Sequence, residues 1–262
     1  MSDLDELLAY WRAADRLFQN VEETWWGAVV SDRRYPRIHE ANYALVQTAE
    51  PVHLDEIDGV LGPAARAAGA PFDHVVVLAV AEQTELIAEA STRGERLSFD
   101  QVMRWSDRPP DVDPRVAAID DPDEAFWTAF RASARVFGVE DDAVIDELVT
   151  LEREVMLPAG RTWFALRDGA EIVTLGGLLV LGDVGFVDGI VTLERARSRG
   201  NATALITRVL AEATRRGARA TYLLTEPDGP AVGIYRHAGF GTVTRIASWV
   251  TARGVNPTTP PR

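Results

Sequence analysis

Apolar and polar positions alternate along the chain with two periods. Leu4 to Phe18 reads as a helix, with Leu4, Leu7, Leu8, Trp11 and Ala14 on one face. Trp25 to Val30 is a short apolar run that suits a strand. Ile38 to Val46 and Leu54 to Ala68 read as helices, the second stopped by Gly69. His74 to Val80 is unbroken and β-branched, as in a buried strand. A helix over Glu82 to Ala90 and an alternating strand over Leu97 to Trp105 complete this half.

In the second half, Asp123 to Phe137 and Asp141 to Glu154 read as helices, with Asp123 capping the first. Strands follow at Arg161–Leu166, Glu171–Leu181 and Val184–Leu193, joined by turns at Asp168-Gly169 and Gly182-Asp183. Ala202 to Arg216 carries a clean stripe of Ala202, Leu205, Ile206, Val209, Leu210 and Ala213, ended by Gly217. A strand over Ala220–Thr225, a short helix over Pro230–His237 stopped by Gly239, and a strand over Thr242–Val250 close the pattern. This order predicts an α/β layered domain on a mixed sheet.

The stretch from Ser106 to Pro114 holds three prolines and three aspartates, which suits neither helix nor strand. It predicts two domains, residues 1–106 and 115–254, joined by a linker over 107–114, with a flexible tail over 255–262. The 262 residues are ample for a sizeable core. A net charge of −13 argues against nucleic acid or an anionic membrane as partner. The chain has no cysteine and four scattered histidines, so no metal site is expected. The longest apolar runs are too short to span a membrane and the N-terminus is acidic, so a cytoplasmic protein is expected. Every basic residue is arginine or histidine, none lysine, which carries no mechanistic meaning.

The candidate chemistry sits in Arg197-Ser198-Arg199-Gly200-Asn201-Ala202, between a predicted strand and the start of an amphipathic helix. Such a junction leaves backbone N–H groups free at the positive end of the helix dipole, an arrangement suited to phosphate or pyrophosphate. Gly200 lets a ligand approach the backbone, and Arg197 and Arg199 add positive charge. A plain turn with solvated arginines has the same residues. Neither the P-loop spacing nor the three glycines of a dinucleotide fingerprint is present.

A second segment, Glu226 to Phe240, follows the next strand. With it the chain resembles the GCN5-related N-acetyltransferase superfamily. Arg197, Gly200 and Ala202 match its pyrophosphate loop [QR]-x-x-G-x-[GA]. Ala231, Tyr235, Gly239 and Phe240 match its N-x-x-A-x-x-x-Y-x-x-x-G-F helix, with Asp228 in place of asparagine. The likeness covers about Ala118 to Thr251. It implies a mostly antiparallel sheet, flanked by helices, that splays between Val184–Leu193 and Ala220–Thr225. Acyl-coenzyme A would enter the gap, its pantetheine pairing near Ile190 and Val191 and its pyrophosphate held by backbone from Arg197 through Ser198, Arg199, Gly200, Asn201 and Ala202 to Thr203.

The resemblance further implies that Tyr235 protonates the leaving thiolate. Asp188 and Glu226, near the splay, are its candidates for general base. Asp228 sets a negative charge near the cofactor arm, and Leu193 stands where proline is frequent. His237, two residues from Tyr235, is expected on the surface. The first half resembles a degenerate copy of the same fold and lacks the loop pattern, so it is not expected to hold coenzyme A. Its Trp11, Trp25 and Trp26 are expected in the core. The implied activity is acetyl transfer from acetyl-CoA to a primary amine of a small molecule or peptide in a ternary complex, without metal, by a monomer or homodimer. A catalytically silent acyl-CoA sensor or interaction module is the alternative.

Overall fold

The computed structural model describes residues 2–78, 80–107 and 111–253. Positions 108–110 of the expected linker and the whole expected tail 255–262 lie outside the described residues. In chain order the elements are α1 (Asp3–Asp15), β1 (Asn20–Glu23), β2 (Gly27–Ser31), β3 (Tyr43–Val46), α2 (Leu54–Ala68), β4 (Phe72–Val77), α3 (Thr84–Arg93), β5 (Ser98–Trp105), β6 (Val116–Ile119), α4 (Glu124–Val136), α5 (Asp142–Leu151), β7 (Thr162–Asp168), β8 (Glu171–Leu181), β9 (Val184–Thr192), α6 (Asn201–Arg215), β10 (Ala220–Thr225), α7 (Val232–His237) and β11 (Gly241–Ala252).

The chain forms two compact units. One comprises Met1–Ala13 and Gln101–Thr244, the other Ala14–Asp100 and Arg245–Arg262. In the first unit the strands run β5-β10-β9-β8-β7-β6. All neighbours are antiparallel except β9 and β10, which are parallel. In the second unit the order is β1-β2-β3-β4-β11, antiparallel except for β3 beside β4.

The first unit buries apolar residues on both faces of its sheet. On one face α6 sets Leu205, Ile206, Val209 and Leu210 against Phe164, Leu166, Val173, Leu178 and Val187. Each such buried side chain contributes about 1.5–3 kcal/mol. The far end of α6 is tied down. Buried Glu212 accepts from Arg216, which also donates to the Gly160 carbonyl at 2.9 Å. On the other face α4 and α5 enclose Phe126, Phe130, Val149, Trp163, Ile172 and Leu175. Asp123 caps α4, its carboxylate accepting the Phe126 N–H at 2.8 Å.

In the second unit the core gathers Trp26, Val29, Ile57, Leu61, Val75 and Trp249. The helix expected over Ile38–Val46 does not form. A single 3-10 turn at His39–Ala41 leads into β3. Asn42 forces the change: its buried amide donates to the carbonyls of Tyr35 and Ile38 and accepts from the Asp32 N–H, competing with helical bonding. Tyr43–Val46 then pairs with both β2 and β4. Trp25 also departs from expectation: it is exposed, whereas Trp26 is buried.

Candidate active site

The parallel pairing of β9 and β10 is short. Ala220, Thr221 and Tyr222 meet Val184, Gly185 and Phe186, and pairing ends there. Val187 to Thr192 and Leu223 to Thr225 therefore face an opening with unpaired backbone. Along its other edge β9 carries a bulge. Gly177 pairs with Asp188 and Leu175 with Val191, so Gly189 and Ile190 face one residue, Gly176. Gly189 takes φ +63, a left-handed turn of the backbone that glycine accepts without strain. The bulge lies midway along the opening.

At the end of β9 the chain makes a 3-10 turn over Glu194–Ala196 and enters the loop before α6. Ser198 (φ +59) and Gly200 (φ +73) are both left-handed. Gly200 caps α6 with no side chain involved. The N–H groups of Asn201, Ala202 and Thr203 belong to the first helical turn, which has no acceptor of its own. Among the described residues, those of Ser198, Arg199 and Gly200 also have no protein acceptor. A side chain added at Gly200 would meet nothing within 4 Å. The loop is braced from behind. Buried Asn201 donates its side-chain amide to the Ala196 carbonyl at 3.1 Å, and Arg197 Nε to the Thr192 carbonyl at 3.1 Å. Arg199 is exposed. This donor set, open to solvent at a helix start and beside two arginines, fits a diphosphate.

Tyr235 lies on α7, buried, with its ring against Phe240 (centroids 6.0 Å apart). Burial holds its phenol up at about 12, and the nearby Asp188 carboxylate pushes the same way. Asp188 sits at the bulge, with Oδ1 accepting the Gly189 N–H at 2.7 Å and Oδ2 3.4 Å from Arg161 Nη2. Of the two carboxylates proposed from sequence, Asp188 thus stands at the opening, in electrostatic reach of Tyr235. Glu226 is exposed beyond β10, where its carbonyl closes the turn to Gly229. Asp228 is exposed in that same turn. Ile190 leans toward the α6 face and Val191 toward the α4 face. There, a groove of about 370 Å³ runs between Ala125, Thr128 and Ala129 of α4 and Ile172, Val191 and Leu193.

Four residues that the sequence reading left aside, Trp163, Glu152, Arg161 and Tyr10, connect to Asp188 and the bulge. The Trp163 indole lies over Gly177 and Gly189: a side chain at Gly189 would come 2.8 Å from the ring. Its Nε1 donates to Glu152 at 2.7 Å. Arg161 Nη1 donates to the same carboxylate at 3.3 Å. Tyr10 stacks on Phe186 at 5.2 Å, and the fields of Arg161 and Asp188 both reach its hydroxyl. The glycines at 177 and 189, on neighbouring strands, were the one visible signal for a flat ring, and it becomes legible only with the strand register known. Gly189→Ala should lower stability by about 2–4 kcal/mol, from the left-handed backbone and the clash together. Gly200→Ala, with open space, should cost about 1–2 kcal/mol. Urea unfolding of both variants checks this, and equal losses would show that the indole does not rest on Gly189.

Among the described residues, no helix is long and apolar enough to cross a membrane. Similarity to known proteins agrees with the geometry. No curated protein matches the chain by sequence. Its fold is similar to that of a GCN5-related N-acetyltransferase from Kribbella flavida (TM-score 0.69, 15% identity, 97% of each chain covered). It is also similar to a conserved protein of unknown function from Staphylococcus epidermidis (0.68, 11%, 90% of this chain and 94% of that one). A tandem GNAT protein from the clavulanic acid biosynthesis pathway matches at 0.54 and 15%, over 77% of this chain and 70% of that one. Residues 119–240 match the model of the acetyltransferase (GNAT) family. That stretch holds the splayed strands, the amide corner before α6 and the α7 tyrosine, and it belongs to the GNAT acetyltransferase family.

Proposed function

We propose that the protein transfers an acetyl group from acetyl-CoA to a primary amine of a small molecule or peptide. The observation that carries this reading is the corner of unpaired amides from Ser198 to Thr203, opening beside a cleft whose edges have no strand partner. The amides and the two arginines hold the diphosphate, while the free edge of β9 near Ile190 and Val191 binds the amide groups of the arm. Bound acetyl-CoA supplies an activated acyl carbon in the form of a thioester.

The chain's own residues then bind and orient. Asp188, on the rim of the opening, attracts an ammonium group and takes the proton that must leave before nitrogen can attack. The new C–N bond forms as the C–S bond breaks, with its electron pair going to sulfur. Tyr235 meets that developing charge. A phenol held at about 12 is a weaker acid than a thiol near ~8.5, so complete proton transfer to sulfur runs uphill. Its O–H therefore acts as a hydrogen-bond donor to the sulfur; the acylated nitrogen releases its extra proton to solvent, and the departing thiolate takes one from solvent. Most of the rate comes from holding the two reactants together. The Asp188 carboxylate, exposed at the rim of the opening, favours a cationic acceptor. The unit containing β1 to β4 lacks the loop pattern, and we assign it no part in binding coenzyme A.

Thiol release from acetyl-CoA with a panel of primary amines tests the reading. Release that depends on the amine, with the acetylated amine seen by mass spectrometry, is the expected result. Binding of acetyl-CoA without release on any amine would instead favour a silent acyl-CoA sensor, and no binding would end both readings.

A further inference from the structure

Glu152 has no part in the chemistry above, yet it is a buried carboxyl beside the opening. The end of α5 widens into a π turn over Glu152–Met156, with the Leu157 N–H reaching back five residues to the Glu152 carbonyl at 2.9 Å. The turn carries Glu152 inward, where its side chain is 2% exposed. Oε1 accepts from Trp163 Nε1 at 2.7 Å and Oε2 from Arg161 Nη1 at 3.3 Å. The other guanidinium nitrogen, Nη2, stands 3.4 Å from Asp188 Oδ2. Exposure rises along this chain, from 2% at Glu152 through 13% at Arg161 to 54% at Asp188. A carboxyl, a guanidinium and a carboxylate thus run in line from the interior to the cleft rim.

A glutamine or a backbone carbonyl would satisfy the Trp163 N–H without burying an acid, so the hydrogen bond alone does not account for glutamate here. The charge has a second use. Arg161 bridges two carboxyls through different nitrogens, and the negative charge on either one makes the other harder to ionise. We infer that Glu152 is a positioning residue which, through Arg161, fixes the place and the charge of the Asp188 carboxylate at the cleft rim. With Glu152 ionised, Arg161 is held between the two carboxylates. With Glu152 neutral or replaced, the guanidinium faces the Asp188 carboxylate without an opposing negative charge, which favours the ionised carboxylate. The other titratable groups facing this line are Tyr10 from α1 and Tyr235 from α7, and both phenols are held neutral by burial. Burial and the Asp188 charge both favour the neutral form of Glu152, while Arg161 and Trp163 oppose them.

The inference rests on the proposed role of Asp188 in acyl transfer, but its test needs no acceptor. Two N–H groups serve as reporters in the full-length, 15N-labelled protein: the Trp163 indole for Glu152 and the Gly189 amide for Asp188. Both are followed by NMR from pH 3 to 8. In Glu152→Gln the indole keeps an acceptor and loses its titration. The Gly189 inflection should move to lower pH by about half a unit or more. In Asp188→Asn, a change at an exposed position, the Trp163 indole inflection should move to lower pH, because a negative neighbour has gone. A Gly189 inflection unchanged by Glu152→Gln, or an indole inflection unchanged by Asp188→Asn, overturns the coupling. Should Glu152→Gln fail to fold, the Asp188→Asn arm decides alone. Acetyl-CoA titrated into the same wild-type sample separates the two levels: binding without coupling removes only this inference, whereas absent binding removes the acyltransferase reading whatever the reporters do.

Discussion

Gly200→Asp is expected to lower the affinity for coenzyme A by more than about a hundredfold, because a like charge set against an anion costs several kcal/mol. Two effects add. The carboxylate stands where the diphosphate must sit, and its oxygens can accept from the very first-turn N–H groups that the ligand needs. The fold should survive, since a side chain at this position meets nothing within 4 Å. Aspartate also tolerates a left-handed backbone better than most residues. Calorimetry with coenzyme A and a thermal melt of the same sample read both halves. An unchanged dissociation constant in a folded variant would remove the diphosphate assignment, and with it the reason for placing acetyl-CoA in the splay.

Tyr235→Phe should act on the opposite quantity. The phenol is neutral throughout the physiological range because burial and Asp188 hold it up at about 12. Its loss removes a hydrogen bond to a developing charge, worth about 1.5–3 kcal/mol, so turnover should fall roughly 10- to 100-fold. The affinity for coenzyme A should stay the same, since the ring still packs against Phe240. The sign of the pH effect follows from the direction of the shift. A raised pKa keeps the donor form present as pH rises, so the wild type should show no alkaline loss of turnover from this residue below pH 10. Turnover equal to wild type in Tyr235→Phe would pass the role to water or another donor.

Where local structure rests on consecutive residues, the sequence was readable. The loop from Arg197 to Thr203 is local: its glycine, its small residue and the amphipathic stripe that follows lie within one strand–helix junction, and α6 begins one residue from the expected start. Gly217 and Gly239, expected as helix stops, take φ +85 and +97. Where neighbours decide the outcome, local pattern was not enough. Ile38–Val46 reads as a helix, but Asn42 breaks the turn and two strands claim Tyr43–Val46. β1 is exposed at every position and β6 is a four-residue run, so neither carries an alternation strong enough to read. The line of Glu152, Arg161 and Asp188 is assembled from a π turn, the residue just before β7 and the β9 bulge, and its parts meet only once β7, β8 and β9 are in register.

A crystal structure with coenzyme A bound puts the whole scheme to its most direct trial. The diphosphate oxygens should lie about 2.7–3.2 Å from the backbone nitrogens between Ser198 and Thr203, and the pantetheine arm should run between β9 and β10 toward Asp188. A nucleotide bound elsewhere on the protein, with that corner left unliganded, would contradict it.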